Sequence, residues 1–413
     1  MNRHIAVLGA GRGQIPLIDI LHRYGLKVTC ISKEGDYPGF KIADNYIYED
    51  VSDKNAILRA VQELGADAVI SDQLDCAVTT SAYVTEKLNM RGIPYDISLK
   101  FVDKPTMRQE ALRAGINVPK YIVVSSVLEI KEKLEKMDLN MPLIMKPVDA
   151  SASRGIHKVY SFPEIMKCFE DAKKWSSNGK VIIEQLIVGN EYVIDSYTHD
   201  FVTTPLVVGR RSYFKIGGTF IPSSTIFVDA LSAMTEDERK VVATNVDYIL
   251  KSGLEYGITH GEYIVEESTG DVYLVEIAAR GGGVFISSDL IPTACGVNAV
   301  DLLVRDTLGF AFPHIDIHPG ASAYLCYLLP QGTIKNIYGT DCVGKIKGVT
   351  KAFFDNIELN MCTSAITDKG NRKGPILIKG KNRQECLEII EQVKKTLAVE
   401  VMTPNGIQPI IWQ

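Results

Sequence analysis

Between residues 4 and 100 the chain alternates short apolar runs rich in β-branched residues with stretches of helical periodicity, and this alternation restricts the fold more than any other feature. The runs HIAVLGA, KVTCIS and ADAVISD have strand character, and helical patterns lie in IPLIDILHRYG, near NAILRAVQELG and through AVTTSAYVTEKL. A strand followed by a helix cannot hairpin onto the next strand, so the order predicts parallel strands with helical crossovers. The loop GAGRGQ after the first run reads as a tight strand-to-helix turn. Its G-x-G-x-G spacing lacks the third glycine of a dinucleotide fingerprint. The second strand ends Ile31, Ser32, Lys33, with Glu34 two residues late for a ribose-binding carboxylate. A nicotinamide cofactor on this region stays as an alternative.

At 413 residues the chain exceeds one ordinary core, and two or three domains are expected. A net charge of −5 supplies no basic footprint for nucleic acid or an anionic membrane surface. No apolar stretch is long enough to span a bilayer, and MNRHIAVLGAG reads as a first strand rather than a leader. The eight cysteines include no C-x-x-C pair, which argues against a zinc site or a disulfide framework and for a cytoplasmic protein.

From about 101 the texture changes. DKPTMRQEALRAGINVPKYIVV predicts an Asp-Lys-Pro turn at Lys104, a helix stopping at Gly115 and a strand after Pro119. Strands are expected near PLIMKPV, HKVYSF, KVIIEQLI and EYVIDSYT, a helix from about Glu236 to Ser252, and a hairpin of GEYIVEE with DVYLVEI joined through Ser268 to Asp271. Beyond Pro313 the pattern is antiparallel β with a final helix near RQECLEIIEQVKKTL. The domains expected are a Rossmann-like one over 1–100, a central one over 101–312 with a small α+β unit at about 118–190, and a β-rich C-terminal subdomain over 313–413.

Within this frame, YLVEIAARGGG embeds Glu276 in an apolar strand and sets Arg280 before three glycines, as if a charged group belonged between them. PLIMKPVDASASRG places Lys146 at a strand end before a loop of small residues, including Ser151, Ser153 and Gly155, whose amides suit phosphate. VIIEQLIVGNEY gives Glu184, Gln185 and Leu186 at a hinge and Glu191 beyond it; the hairpin adds Glu262. Each has a plain reading too: Lys146 as a solvated strand end, Glu184 and Glu191 as ordinary surface carboxylates, His260 as a satisfied strand histidine, Arg210 and Arg211 as surface charges.

Taken together, the order Lys104, Lys146 with its small-residue loop, E-x-x-(I/V)-x-G-x-E, then Glu262 and Glu276 on paired strands followed by Arg280 resembles the ATP-grasp superfamily, and spans nearly the whole chain. Within it, EIAARGGG and KGPILIKGKNRQECLEIIEQV are most similar to carboxylate-amine ligases built like biotin carboxylase, and to the L-amino acid ligase group. The resemblance implies an α/β ATP-grasp fold. It implies ATP held by Lys104, Lys146, Ser151, Ser153, Gly155, the Glu184, Gln185 and Leu186 hinge, and Glu191. Mg²⁺, with Mn²⁺ as its substitute, would be carried by Glu262 and Glu276. Arg280 would be catalytic, and Arg210, Arg211, His260 and Gly282 would meet substrate. Many relatives read Glu-x-Asn-x-Arg where this chain has Ala278, so the two glutamates would carry the protein's share of the metal. The activity implied joins a small acid to an amine through an acyl phosphate, in a homodimer. A purine-type ligase acting on a ribosyl amine and a non-catalytic ATP-binding regulator remain as alternatives.

Overall fold

A computed structural model describes residues 3–149, 154–216, 221–231, 234–367 and 369–413. Ser151 and Ser153 lie outside the described residues. The first strands, β1 (His4–Leu8), β2 (Lys27–Ser32), β3 (Asn45–Tyr48) and β4 (Ala68–Ile70), form a parallel sheet of order β3-β2-β1-β4. Neighbours on opposite sides of β1 open a crevice at the carboxyl ends of β1 and β4, where ligands settle in such sheets. The edge strand β3 is absent from the sequence reading because Asn45-Tyr46-Ile47-Tyr48 is mostly exposed and carries no core signature.

A small sheet of order β5-β8-β6-β7 follows, built from β5 (Tyr121–Val124), β6 (Leu143–Pro147), β7 (His157–Val159) and β8 (Val181–Gln185), with the helix Phe162–Lys174 covering one face. The strand expected through HKVYSF is cut short at Val159, since Ser161 is the N-cap of that helix and Pro163 occupies its first turn. Next come β9 (Gly189–His199), β10 (Val202–Tyr213), β11 (Pro222–Asp229), β12 (Gly257–Glu266) and β13 (Val272–Ala278). The helix Glu236–Ser252, between β11 and β12, opens on a Thr235/Glu238 capping box and closes at Gly253 in the left-handed region, a helix bounded by local chemistry at both ends.

Beyond 313 lie β14 (Ala321–Tyr327), β15 (Gly332–Tyr338), β16 (Val349–Ala352), β17 (Cys362–Thr363), β18 (Lys373–Gly380), β19 (Ala398–Thr403) and β20 (Gly406–Pro409). Three of them complete the antiparallel central sheet, β13-β12-β9-β10-β11-β14-β18-β16. The rest form a sheet of order β17-β15-β19-β20. Pairing β14 to β11 covers what would otherwise be an exposed edge, and one apolar core then runs from Met107 and Tyr248 to Val393 and Val401. The first domain is seated by the helix Ala299–Leu308, whose Val300, Val304 and Leu308 sit in the same cluster as Leu17 and Leu21. Among the described residues no helix is long and apolar enough to cross a membrane.

Candidate active site

Between the small sheet and the β12–β13 edge of the central sheet lies a cleft of about 640 Å³, within the range of small-molecule sites. Its described walls carry seven cationic side chains, Lys104, Lys146, Arg210, Arg211, Lys215, Arg280 and Lys369, against four carboxylates, Asp75, Glu191, Glu262 and Glu276. In a chain of net negative charge, that local excess marks a receptor for an anion.

On the small-sheet side, Lys146 ends β6 and is only 6% exposed. Its Nζ lies 2.6 Å from Glu184 Oε2 on the adjacent β8. Glu184 also takes Arg108 Nε at 2.8 Å, while Arg108 Nη2 donates to the Val275 carbonyl at 2.7 Å. Burial works most strongly against the charge on Glu184, yet Arg108 and Lys146 outweigh it and hold the carboxyl down to about 2. For Lys146, burial dominates and pulls the ammonium below the ordinary lysine range despite Glu184. Glu184 is thus a buried anchor for two cations; its side chain faces inward at the centre of a sheet. The Gln185 amide is spent on the Lys120 carbonyl at 2.9 Å, so the first hinge residue past the ladder that lines the cleft is Leu186. Gly155 turns at φ +66°, where a Cβ would stand 2.8 Å from Trp175.

Lys104 is not in a turn: it is the first residue of the helix Lys104–Arg113, capped by Asp103, with Pro105 in the opening turn. That placement buries the side chain and sends Nζ to Glu276 Oε1 at 3.1 Å. In the β12–β13 hairpin Glu262 pairs directly with Glu276, and a register shift follows immediately at Tyr263. Both carboxylates line the cleft. Ala278 is buried opposite His260 and has no oxygen to offer.

Arg211 Nη1 donates to Glu191 at 2.6 Å and to Glu262 at 2.9 Å, while its buried Nε has no partner among the described residues. Burial disfavours ionisation of Glu262, but Arg211 and His260 hold its carboxyl well below the ordinary range. Glu191 goes the other way, raised by burial against the pull of Arg211. Arg210, also on the cleft wall, is exposed and donates to Asn190. Two arginines that are neighbours in sequence thus take different partners, one buried between carboxylates and one at the surface, as strand alternation requires.

At the far end Arg280 donates Nε to Asp75 at 2.7 Å, with Nη2 2.6 Å from the same oxygen. Asp75 opens the helix Asp75–Lys87 at the carboxyl side of β4. Of the three glycines after Arg280, Gly281 and Gly282 are packed against neighbouring side chains, whereas Gly283 faces open space. The Gly281 amide donates to Asp72 at 2.7 Å and the Gly282 amide to Asp195 at 3.2 Å. A Cβ at Gly281 would collide with Ser287 and Asp72, and one at Gly282 with His260, whose Nδ1 lies 3.0 Å from Asp195. His260 and Gly282 thus form a buried brace behind Glu262 and are absent from the cleft wall. Arg108, Asp72, Asp75, Asp195 and Lys369 were not singled out from the sequence. Only Asp75, at a strand-to-helix switch point, carried a local signal.

The ATP-grasp domain family model matches residues 139–289. The chain is 22% identical over 281 residues to the formate-dependent phosphoribosylglycinamide formyltransferase of Methanocella arvoryzae, covering 66% of this chain and 65% of that one. It is 23% identical over 272 residues to a D-alanine–D-alanine ligase of Ectopseudomonas mendocina, 60% of this chain and 84% of that one. Among solved structures, the L-amino acid ligase from Bacillus licheniformis superimposes with a TM-score of 0.81 at 20% identity, over 97% of this chain and 99% of that one.

Proposed function

Because residues 139–289 match the ATP-grasp domain family and the fold superimposes on that of an L-amino acid ligase, we propose that this chain is an ATP-dependent carboxylate-amine ligase, joining a small acid, an amino acid or similar, to an amine with release of ADP and phosphate. The observation that carries the reading is the cationic cleft that opens on the Glu262–Glu276 pair, with the buried Arg211 Nε a donor unsatisfied among the described residues. Amide formation from a free carboxylate is uphill in water. The acid first takes a phosphoryl group from ATP as an acyl phosphate, and the amine then displaces phosphate.

In this reading Ile144, Ile156, Leu186 and Ile264 bracket the base, and Lys104 and Lys146 neutralise phosphate oxygens. Arg211 sits between Glu191, which in this reading accepts from the ribose hydroxyls, and Glu262, which carries the metal; it therefore belongs with the polyphosphate rather than with the substrate carboxylate. Two adjacent carboxylates with room for outside oxygens suit Mg²⁺, which takes one or two protein carboxylates and fills its shell from phosphate and water. Bound there, Mg²⁺ supplies charge neutralisation to the phosphate oxygens. Glu276→Gln and Glu262→Gln should each raise the Mg²⁺ needed for half-maximal turnover by roughly tenfold or more, whereas Ala278→Asn should not be required for activity. Turnover with unchanged metal dependence in both glutamine variants would remove the two residues from the metal site.

The test of the reaction is phosphate release from Mg-ATP with amino acids offered singly and in pairs, with hydroxylamine present to trap an activated acid. Hydroxamate should form with each acid that stimulates turnover. Stimulation without hydroxamate would exclude the acyl phosphate. A second reading, a ligase for a phosphoribosylated amine, draws on the formyltransferase relatives and on Lys369, which has no carboxylate within ion-pair distance among the described residues. Formate with phosphoribosylglycinamide is therefore a necessary arm of the screen.

A further inference from the structure

The segment after β20 leaves the outer sheet and runs back to the cleft. Ile411 pairs with Leu328, just past β14, through amide-to-carbonyl bonds of 2.9 and 3.0 Å in both directions. Trp412 then lays its ring 5.5 Å from that of Tyr327, and Gln413 lines the same cleft as Lys369. The short turn Lys369–Asn371 precedes β18, whose Lys373 is the register partner of Tyr327, so Lys369 and Gln413 come to the cleft from one corner of the fold. That corner belongs to the central sheet and lies away from the small sheet that supplies Lys146 and Leu186.

Resting on the ligase reading, we infer that Ile410–Gln413 is a specificity strap whose Gln413 contacts the acid or amine substrate and not the nucleotide. Its carboxamide offers one acceptor and two donors on a wall that also carries the Lys369 ammonium. An anion for the lysine beside an N–H for the amide oxygen describes a zwitterionic, amino-acid-like substrate. The docking of Trp412 on the fully buried Tyr327 anchors the backbone next to Gln413.

The chain has two tryptophans, Trp175 and Trp412, so Trp175→Phe leaves Trp412 as the sole reporter on the strap. Standard L-amino acids and the Mg²⁺ complex of a non-hydrolysable ATP analogue are titrated separately and together, with ADP release measured in parallel. Trp412 emission should respond to an amino acid. Gln413→Ala should raise that amino acid's half-saturation roughly three- to tenfold, the loss of one hydrogen bond, while nucleotide half-saturation stays within about twofold. Emission that follows only the nucleotide, a Gln413→Ala effect confined to the nucleotide, or no effect at all overturns the strap. An amino acid that moves Trp412 without stimulating ADP release supports the strap and overturns the ligase reading instead.

Discussion

Arg280→Lys should lower turnover by roughly one to three orders of magnitude while leaving nucleotide affinity nearly intact, the range for removing a donor that acts in the transition state. The guanidinium is held by Asp75 through Nε and Nη2, and its Nη1 donates to the Gly281 carbonyl at 3.0 Å. Burial opposes its charge, but Asp75, with Glu276 and Glu262 beyond, keeps the group protonated above even the ordinary arginine value. A lysine supplies a point charge without the fork, so it cannot stay locked on Asp75 and still face the cleft. Asp75→Asn should reproduce much of the loss, since the arginine keeps its charge and loses its orienting partner. Single-turnover kinetics beside calorimetric ATP binding decide the matter. Full activity in Arg280→Lys, or a loss explained by ATP affinity alone, would remove Arg280 from the reacting centre.

The second large effect is on stability. Glu184→Ala strands Arg108 and Lys146, both buried, with no carboxylate between them, and breaking a buried ion pair in this way costs about 3–5 kcal/mol. Chemical denaturation should show the midpoint falling by a corresponding amount, and ATP binding should be lost with it. A change under about 1 kcal/mol would mean that water reaches the two cations. The same residue sets an acid limb. Its folded value, about 2, lies below its ordinary 4.5, so its contribution is fully present above 4.5 and is lost as pH falls from there towards 2. In Glu184→Gln that part of the acid sensitivity should disappear.

Much of this fold was written locally. The Glu236–Ser252 helix has its capping box and terminal glycine in the sequence, and the hairpin carrying Glu262 and Glu276 has its turn residues between two β-branched runs. The crossover pattern of the first 100 residues likewise follows from periodicity alone, because each element's buried face repeats within a few residues. Edge strand β3 escaped notice for the opposite reason: its aromatic side chains cluster with Phe40 on the surface and leave no alternation to read.

The sequence by itself determined which residue types are present and in what order: the two lysines, the paired glutamates, the arginine before three glycines. Only the tertiary structure decided their partners. Arg108 meets Glu184 across 76 positions, Arg280 meets Asp75 across 205, and Gly281 gives its amide to Asp72 across 209. Helical and strand periods report which face of an element is buried, whereas the identity of a buried charge's counter-ion depends on where two distant elements cross. The same holds for Gly281 and Gly282. They read as room for a ligand, and the fold uses that room for Ser287, Asp72 and His260. Close packing at a crossing is a property of both chains' positions, and neither local segment contains it.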